Sequence, residues 1–316
     1  MIAAPGLRVG RRAALGLGIG GALAIGAAHA AESAGPVEVA QGVFVLPGLQ
    51  EDASPTNDNA IANVGFIVGA DAVAVIDPGG SFRHGQRLRR TVAAATPLPI
   101  RWLILTHAHP DHIMGASAFA DLRPEVVGHA NLPDALAQRR DSYLRTMERE
   151  MGGAAVAGSD APAPTRLVED RLDLDLGNRV LALTAHDPAH TDSDLSLFDP
   201  LSATLWLSDL LFVDRIPTLD GSLAGWLREL AALRQLPAQR AVPGHGPPSV
   251  PWPQAAAPQL RYLEALRDGT RAAVDAGVGI AEAPARVATA EASHWRLAEH
   301  YHGRNVSAAY RELEWE

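Results

Sequence analysis

Four apolar runs in this chain each stop within a few residues of a histidine or an aspartate, and no other feature constrains the fold as much. Trp102-Leu103-Ile104-Leu105 leads to His107, and Val180-Leu181-Ala182-Leu183-Thr184 leads to His186 and His190. Thr204-Leu205-Trp206-Leu207 leads to Ser208-Asp209, and Ala241-Val242-Pro243 leads to Gly244-His245. Short apolar runs bounded by turn residues read as buried strands, which places the polar residues in the loops that follow. Loops gathered at one edge of a sheet are where a rigid scaffold presents chemistry. Strands alternating with helical stretches from about residue 36 to 250 make the expected architecture a layered α/β one.

The densest stretch is Thr106-His107-Ala108-His109-Pro110-Asp111-His112. In an extended segment alternate side chains share a direction, so His107 and His109 can reach one ion. Asp111 and His112 lie just past them, where the chain turns, and can reach a second ion nearby. A lone histidine is ordinarily a surface or core residue, but ligand-type residues packed this closely beside a hydrocarbon strand point to metal. Imidazole and carboxylate donors without thiolates suit zinc, iron or manganese.

The series HxHxDH, Pro188-Ala189-His190-Thr191, Ser208-Asp209 and Pro243-Gly244-His245-Gly246-Pro247 resembles the metallo-β-lactamase-fold hydrolase superfamily over nearly all of the chain after residue 30. The resemblance implies a four-layer αββα sandwich. It also implies that His107, His109 and His190 hold one metal, that Asp111, His112 and His245 hold a second, and that Asp209 bridges them. His190 matches the third motif better than His186 because Pro188 and Thr191 flank it as the family pattern requires. Asp77, after Val73-Ala74-Val75-Ile76, matches the family's first motif and is expected to brace the ligand loops by hydrogen bonds. It is equally the start of a turn before Pro78-Gly79.

An aspartate at 209, where some zinc β-lactamases carry cysteine or serine, resembles the dinuclear branch of thioesterases and lactonases. His109 stands where a redox diiron version of the fold commonly has glutamate. Two divalent cations about 3.5–4 Å apart lower the pKa of a shared water toward neutrality. The expected activity is hydrolysis of a small ester, thioester or lactone, with Asp111 also orienting the nucleophile or handling its proton. The alternatives are a β-lactam hydrolase, a mononuclear iron oxygenase acting on persulfides, and a metal-binding accessory protein.

Arg8, Arg11 and Arg12 precede an apolar run from Ala13 to Ala28, which ends in Ala28-His29-Ala30. Residues 1–30 therefore read as an export signal, with Arg11-Arg12 suggesting the twin-arginine route, and residues 31–316 as the functional domain. The expected location is periplasmic or secreted, with no stable membrane insertion once the signal is cleaved. Those 30 residues hold three arginines and no acid, so removing them takes the formal charge from −9 to −12. No basic tract remains to neutralise phosphates, which speaks against a nucleic-acid partner and for a small-molecule substrate. The chain has no cysteine and hence no disulfide. It also has no lysine, all 27 basic residues being arginine, so any cationic substrate contact falls to arginine.

Arg215, beyond the bridging aspartate, is one candidate for such a contact, although a surface ion pair is the plainer reading. A helix is expected from Trp226 to Leu236. Leu132 to Met151 has helical spacing and, with the loop to Thr165, reads either as a flap over the site or as a solvated helix with a connector. Helices are also expected from about Gln259, with His294, His300 and His302 at the surface. The segments Leu205–Asp209, Ile216–Ser222 and His302–Glu314 are similar to the quinoprotein relay system zinc metallohydrolases, which implies a functional link to a periplasmic quinoprotein system.

Overall fold

The computed structural model describes residues 1–3 and 35–315, so the export signal expected at residues 1–30 lies outside the described residues except for its first three. Two sheets dominate. The first runs β1 (Val37–Ala40), β2 (Val43–Leu46), β3 (Val64–Val68), β4 (Val73–Ile76), β5 (Ile100–Leu105), β6 (Glu125–His129) and β7 (Arg166–Val168), in that spatial order. The second is built from β8 (Arg171–Asp175), β9 (Val180–Ala185), β10 (Leu195–Asp199), β11 (Thr204–Phe212), β12 (Arg240–His245) and β13 (Val250–Pro251), each strand beside its sequence neighbour. Helices α1 (Phe82–Ala95), α2 (Pro110–Ile113), α3 (Leu132–Met151) and α4 (Gly153–Val156) belong to the first half. Helices α5 (Leu223–Leu233), α6 (Ala257–Asp275), α7 (Thr289–Ala292) and α8 (Ala298–Leu313) belong to the second.

The period-two alternation of the strands sorts their side chains into three cores, which defines four layers. Along β5, Trp102 and Ile104 face the second sheet and pack with Leu183, Leu197, Trp206 and Val242. Leu103 and Leu105 face outward, with Leu88 and Val92 of α1 and Leu136 of α3. Along β11, Trp206 points to the first sheet, while Leu205 and Leu207 pack outward with Trp226 of α5, Tyr262 of α6 and Val306 of α8. The result is the expected αββα sandwich. Strands buried on both faces read as continuous apolar runs, which is what made them legible.

β4, β5 and β6 run parallel, as do β11 and β12. Their C-terminal ends therefore share one edge. The sheets are stitched there by Leu195 N donating to Thr106 O at 2.7 Å and by Asn63, whose Nδ2 donates to Pro243 O at 2.9 Å.

Several local expectations shift. β11 continues to Phe212, so Asp209 lies inside the strand, beside a break in register at Ser208, whose φ is +47°. Asp111 and His112 sit on α2 rather than in an open loop. The helix expected at Trp226–Leu236 is α5, Leu223–Leu233; it starts earlier because Ser222 caps it, accepting from Gly225 N at 3.0 Å. The stretch from Leu132 is a helix with one face packed on the core, one side on the cleft and the rest in solvent. α3 buries Leu136, Met147 and Met151 in the outer core and turns Arg139, Ser142 and Tyr143 toward the cleft, as a fixed wall. Its connector is pinned by Arg140 Nε donating to Asp160 Oδ1 at 2.7 Å. His302 is buried, not superficial, with Nε2 bonded to Val287 O at 2.9 Å and Nδ1 3.1 Å from Tyr262 Oη. No helix among the described residues is long and apolar enough to cross a membrane.

Candidate metal centre

Seven side chains converge at the shared sheet edge in two sets. His107, His109, His190 and Asp209 form one and Asp111, His112 and His245 the other, with the potential ligand atoms of each set within 4.8 Å of one another. Asp209 lies between them: its Oδ2 is 3.3 Å from His190 Nε2 and 3.5 Å from His245 Nε2, and its Oδ1 is 3.0 Å from His112 Nε2. His190 Nε2 is 2.9 Å from His109 Nδ1, and Asp111 Oδ2 is 3.3 Å from His245 Nε2.

Each imidazole has one nitrogen committed outward and the other aimed at the cluster. His190 Nδ1 donates to Thr218 O at 2.7 Å, and His245 Nδ1 donates to Ile61 O at 2.9 Å. His112 Nδ1 donates to Asp77 Oδ2 at 2.9 Å, and His109 Nε2 lies 3.1 Å from Asp220 Oδ2. A carbonyl oxygen can only accept, so these bonds fix which nitrogen keeps its lone pair. That is how a protein orients histidine ligands.

Asp77 does the bracing expected of it. Fully buried, with φ +52°, its carboxylate accepts from Thr106 N at 2.9 Å, Thr106 Oγ1 at 2.8 Å, His112 Nδ1 at 2.9 Å and Ser208 Oγ at 2.9 Å. Both its readings hold at once, since a left-handed aspartate is also a turn former. Gly244 is required by close approach, because a Cβ there would collide with Asp209 Oδ1.

The electrostatics fit a cation. Burial alone would raise the Asp209 carboxyl, but the neighbouring His112 and His245 hold it well below the carboxylate range. Burial would lower His112, but Asp209, Asp111 and Asp77 raise it well above an ordinary histidine. His107 is held well below its ordinary value by burial and then by His112. Most telling, His107 Nε2 is buried without a hydrogen-bond partner, and His112 Nε2 and Asp209 Oδ1, buried 3.0 Å apart, have no partner but each other. A buried polar atom left without a partner costs about 1–3 kcal/mol, and donors grouped in this way suit a shared positive charge. Two divalent cations answer that need, with nitrogen and oxygen donors of the kind zinc, iron and manganese accept.

His186 lies outside both sets. It is buried with both nitrogens engaged, Nδ1 2.7 Å from Glu229 Oε2 and Nε2 2.7 Å from Ser196 Oγ. Arg215 is enclosed rather than at the surface: it is 4% exposed, donates to Glu51 O at 2.9 Å and Tyr301 Oη at 3.1 Å, and pairs with Asp52 Oδ1 at 3.8 Å. Packing of α8 against the preceding loop encloses it. The cluster opens into a cleft of about 1700 Å³ whose walls include Tyr143, Arg215 and Tyr301. Asp220 lies in the stretch from Leu210 to Trp226 whose sequence places it beside the metals, but its bond to His109 is what sequence reading missed. Asp220-Gly221 carries only a turn signal, and nothing local ties it to a histidine 111 residues earlier.

A two-sheet sandwich with a histidine–aspartate cluster at one open edge is the architecture of a metal-binding fold class. The chain belongs to the metallo-β-lactamase superfamily, whose family model matches residues 58–245. It is 25% identical over 218 residues to a linear primary-alkylsulfatase of Pseudomonas sp. (strain ATCC 19151), an alignment covering 58% of this chain and 41% of that protein. The chain thus spans about two fifths of that relative's length. Among solved structures it resembles the stereoselective inverting sec-alkylsulfatase Pisa1 from Pseudomonas sp., with TM-score 0.66 and 17% identity over 90% of this chain and 51% of that one. A metallo-β-lactamase family protein from Thermus thermophilus has TM-score 0.61 and 20% identity, covering 87% and 93% of the two chains. A metallo-β-lactamase from Pontibacter korlensis has TM-score 0.59 and 16% identity, covering 72% and 98%. At these identities the structural likeness speaks to fold.

Proposed function

We propose that the protein is an exported hydrolase working with two divalent cations, zinc before iron or manganese, on a small ester, thioester or lactone. The observation that carries this reading is the convergence of seven donors, four of them histidines whose outer nitrogens are tied off, on one buried point between the two sheets. In this reading His107, His109 and His190 hold one ion, Asp111, His112 and His245 hold the other, and Asp209 serves both. When bound, such a pair supplies a water ionised near neutral pH and polarises the bond to be broken. The chain's own residues do the rest. Asp77 keeps the first-sheet ligands in register, and Asp220 and Thr218 O keep His109 and His190 turned inward. Asp111, whose carboxyl burial would raise but His112 and His245 hold far down, stays an acceptor able to orient the nucleophile or take its proton.

A sulfate ester is the second reading, supported by likeness to two proteins named as alkylsulfatases. The twin-arginine pattern of residues 1–30 supports export, and the Ile216–Ser222 and His302–Glu314 segments support a quinoprotein relay branch and a functional link to such a system. Metal analysis combined with a panel of a thioester, a lactone, a chromogenic cephalosporin and an alkyl sulfate tests the proposal. Near two zinc ions per chain with turnover of the thioester or lactone is expected. One iron per chain with oxygen uptake would overturn it, and turnover of the sulfate alone would select the second reading. The exported protein is expected to begin near Ala31, as N-terminal sequencing would show.

A further inference from the structure

Histidines 109 and 190 owe their orientation to one short segment, Pro217-Thr218-Leu219-Asp220. Thr218 O accepts from His190 Nδ1 at 2.7 Å, Asp220 N donates to His190 O at 3.0 Å, and Asp220 Oδ2 meets His109 Nε2 at 3.1 Å. No strand or helix includes this segment. Arg139 of α3 bonds Asp220 Oδ2 as well, and on the other side the segment is held by Asn305. Asn305 of α8, 2% exposed, accepts from Leu219 N at 3.0 Å and donates through Nδ2 to Pro217 O at 2.6 Å and to Tyr262 Oη at 2.9 Å. Alternate residues therefore face opposite ways in function: 217 and 219 are bonded to Asn305, and 218 and 220 are bonded to the histidines.

Seven residues further along the same helix, Glu312 fastens the end of the segment, bonding Ser222 Oγ at 2.8 Å, Leu223 N at 2.6 Å and Ala224 N at 3.1 Å. The other half of the cluster is oriented without α8: His112 uses Asp77, and His245 uses Ile61 O. α8 also lies wholly beyond residues 58–245, the region shared with the family. We propose that α8 is a working part of the centre and that Asn305 is a positioning residue for its His109–His190 half, acting through Pro217–Asp220. This rests on the reading that the cluster holds two metal ions.

The proposal is asymmetric, and the asymmetry is what an experiment reads. Competition between the purified metal-free protein and a chromophoric chelator for Zn²⁺ resolves two dissociation constants. Removing an outer partner of a ligand costs 10–100-fold in metal affinity, and Asn305 sits one bond further out, so Asn305→Ala is expected to weaken one ion about 10-fold. The weakened ion should be the one that His190→Ala loses, with the other unchanged. Val306→Ala, a truncation of the adjacent fully buried residue, should leave both constants as they are. Unchanged constants in Asn305→Ala, equal weakening of both ions, or the same selective loss in Val306→Ala would each overturn the proposal. If Asn305→Ala does not fold, Asn305→Asp keeps the acceptor for Leu219 N and loses the donor to Pro217 O; the same selective weakening is then required, and unchanged constants overturn it. A wild-type protein that fails to bind two zinc ions defeats the metal reading itself, whereas two ions with an unaltered Asn305 variant defeats only the role of α8.

Discussion

From the first sheet, His107, His109, Asp111 and His112 reach the cluster on one six-residue stretch after β5, whereas from the second sheet His190, Asp209 and His245 come from three places separated by 19 and 36 residues. The first group is braced largely by one buried carboxylate, Asp77, which ties Thr106 and His112 together. The second is braced piecemeal, by Thr218 O for His190 and Ile61 O for His245, while Asp209 rests against Gly244. A compact motif can be stabilised by one central acceptor. A dispersed one depends on every segment that brings its members together.

The largest expected effect comes from removing the residue both halves share. Asp209→Ala should lose more than the ~100-fold in metal affinity expected of an outer partner, because it deletes a donor within reach of His112, His190 and His245. Metal content after dialysis reads this, and retention of two tightly held ions would refute the bridging role. Asp77→Ala should come next. It strands several buried donors at about 1–3 kcal/mol each and lowers metal affinity by about 10–100-fold. A chelator titration should find the Asp111–His112–His245 ion weakened more than the other; the reverse order would break the comparison.

A third test concerns acid. His84 lies under the first-sheet half, accepting from Gly80 N at 3.2 Å, and burial, with Arg87 next, depresses it from 6.5 to about 3. The unfolded chain therefore binds a proton that the folded one refuses between those values. The neutral His84 contribution is fully present above pH 6.5 and is lost as pH falls toward 3, at most on the order of 5 kcal/mol. Thermal unfolding of metal-free protein from pH 7 to 4 should show a steeper loss for wild type than for His84→Gln. Equal slopes would remove His84 from the account. The smallest effect on the centre is expected from His186→Ala, which should keep both ions while losing about 1–3 kcal/mol of stability from its two buried hydrogen bonds. Loss of an ion there would reverse the distinction between His186 and His190.

The same contrast explains what could be read from the chain in advance. Trp102–Leu105 followed by His107 to His112 is legible because strand, turn and donors are adjacent, and alternation alone puts His107 and His109 on one side. His190 was separable from His186 only through its flanking Pro188 and Thr191; in the fold the separation is physical, since both nitrogens of His186 already have partners. The enclosure of Arg215 and His302 was not legible because burial by a distant helix leaves no local mark. The bonds of Asp220 and Asn305 were invisible for the same reason, their partners lying 111 and 86 residues away.

By itself the sequence determined the apolar strands and the layered α/β arrangement they imply, because periodicity and adjacency are properties of the chain, and its resemblance to a family pattern implied the αββα order and the identity of the clustered donors. Only the tertiary structure decided which nitrogen of each imidazole faces inward, which arginine is enclosed, and how α8 reaches back to two histidines. Those outcomes depend on hydrogen bonds between segments far apart in the chain, and they exist only once the two sheets have packed.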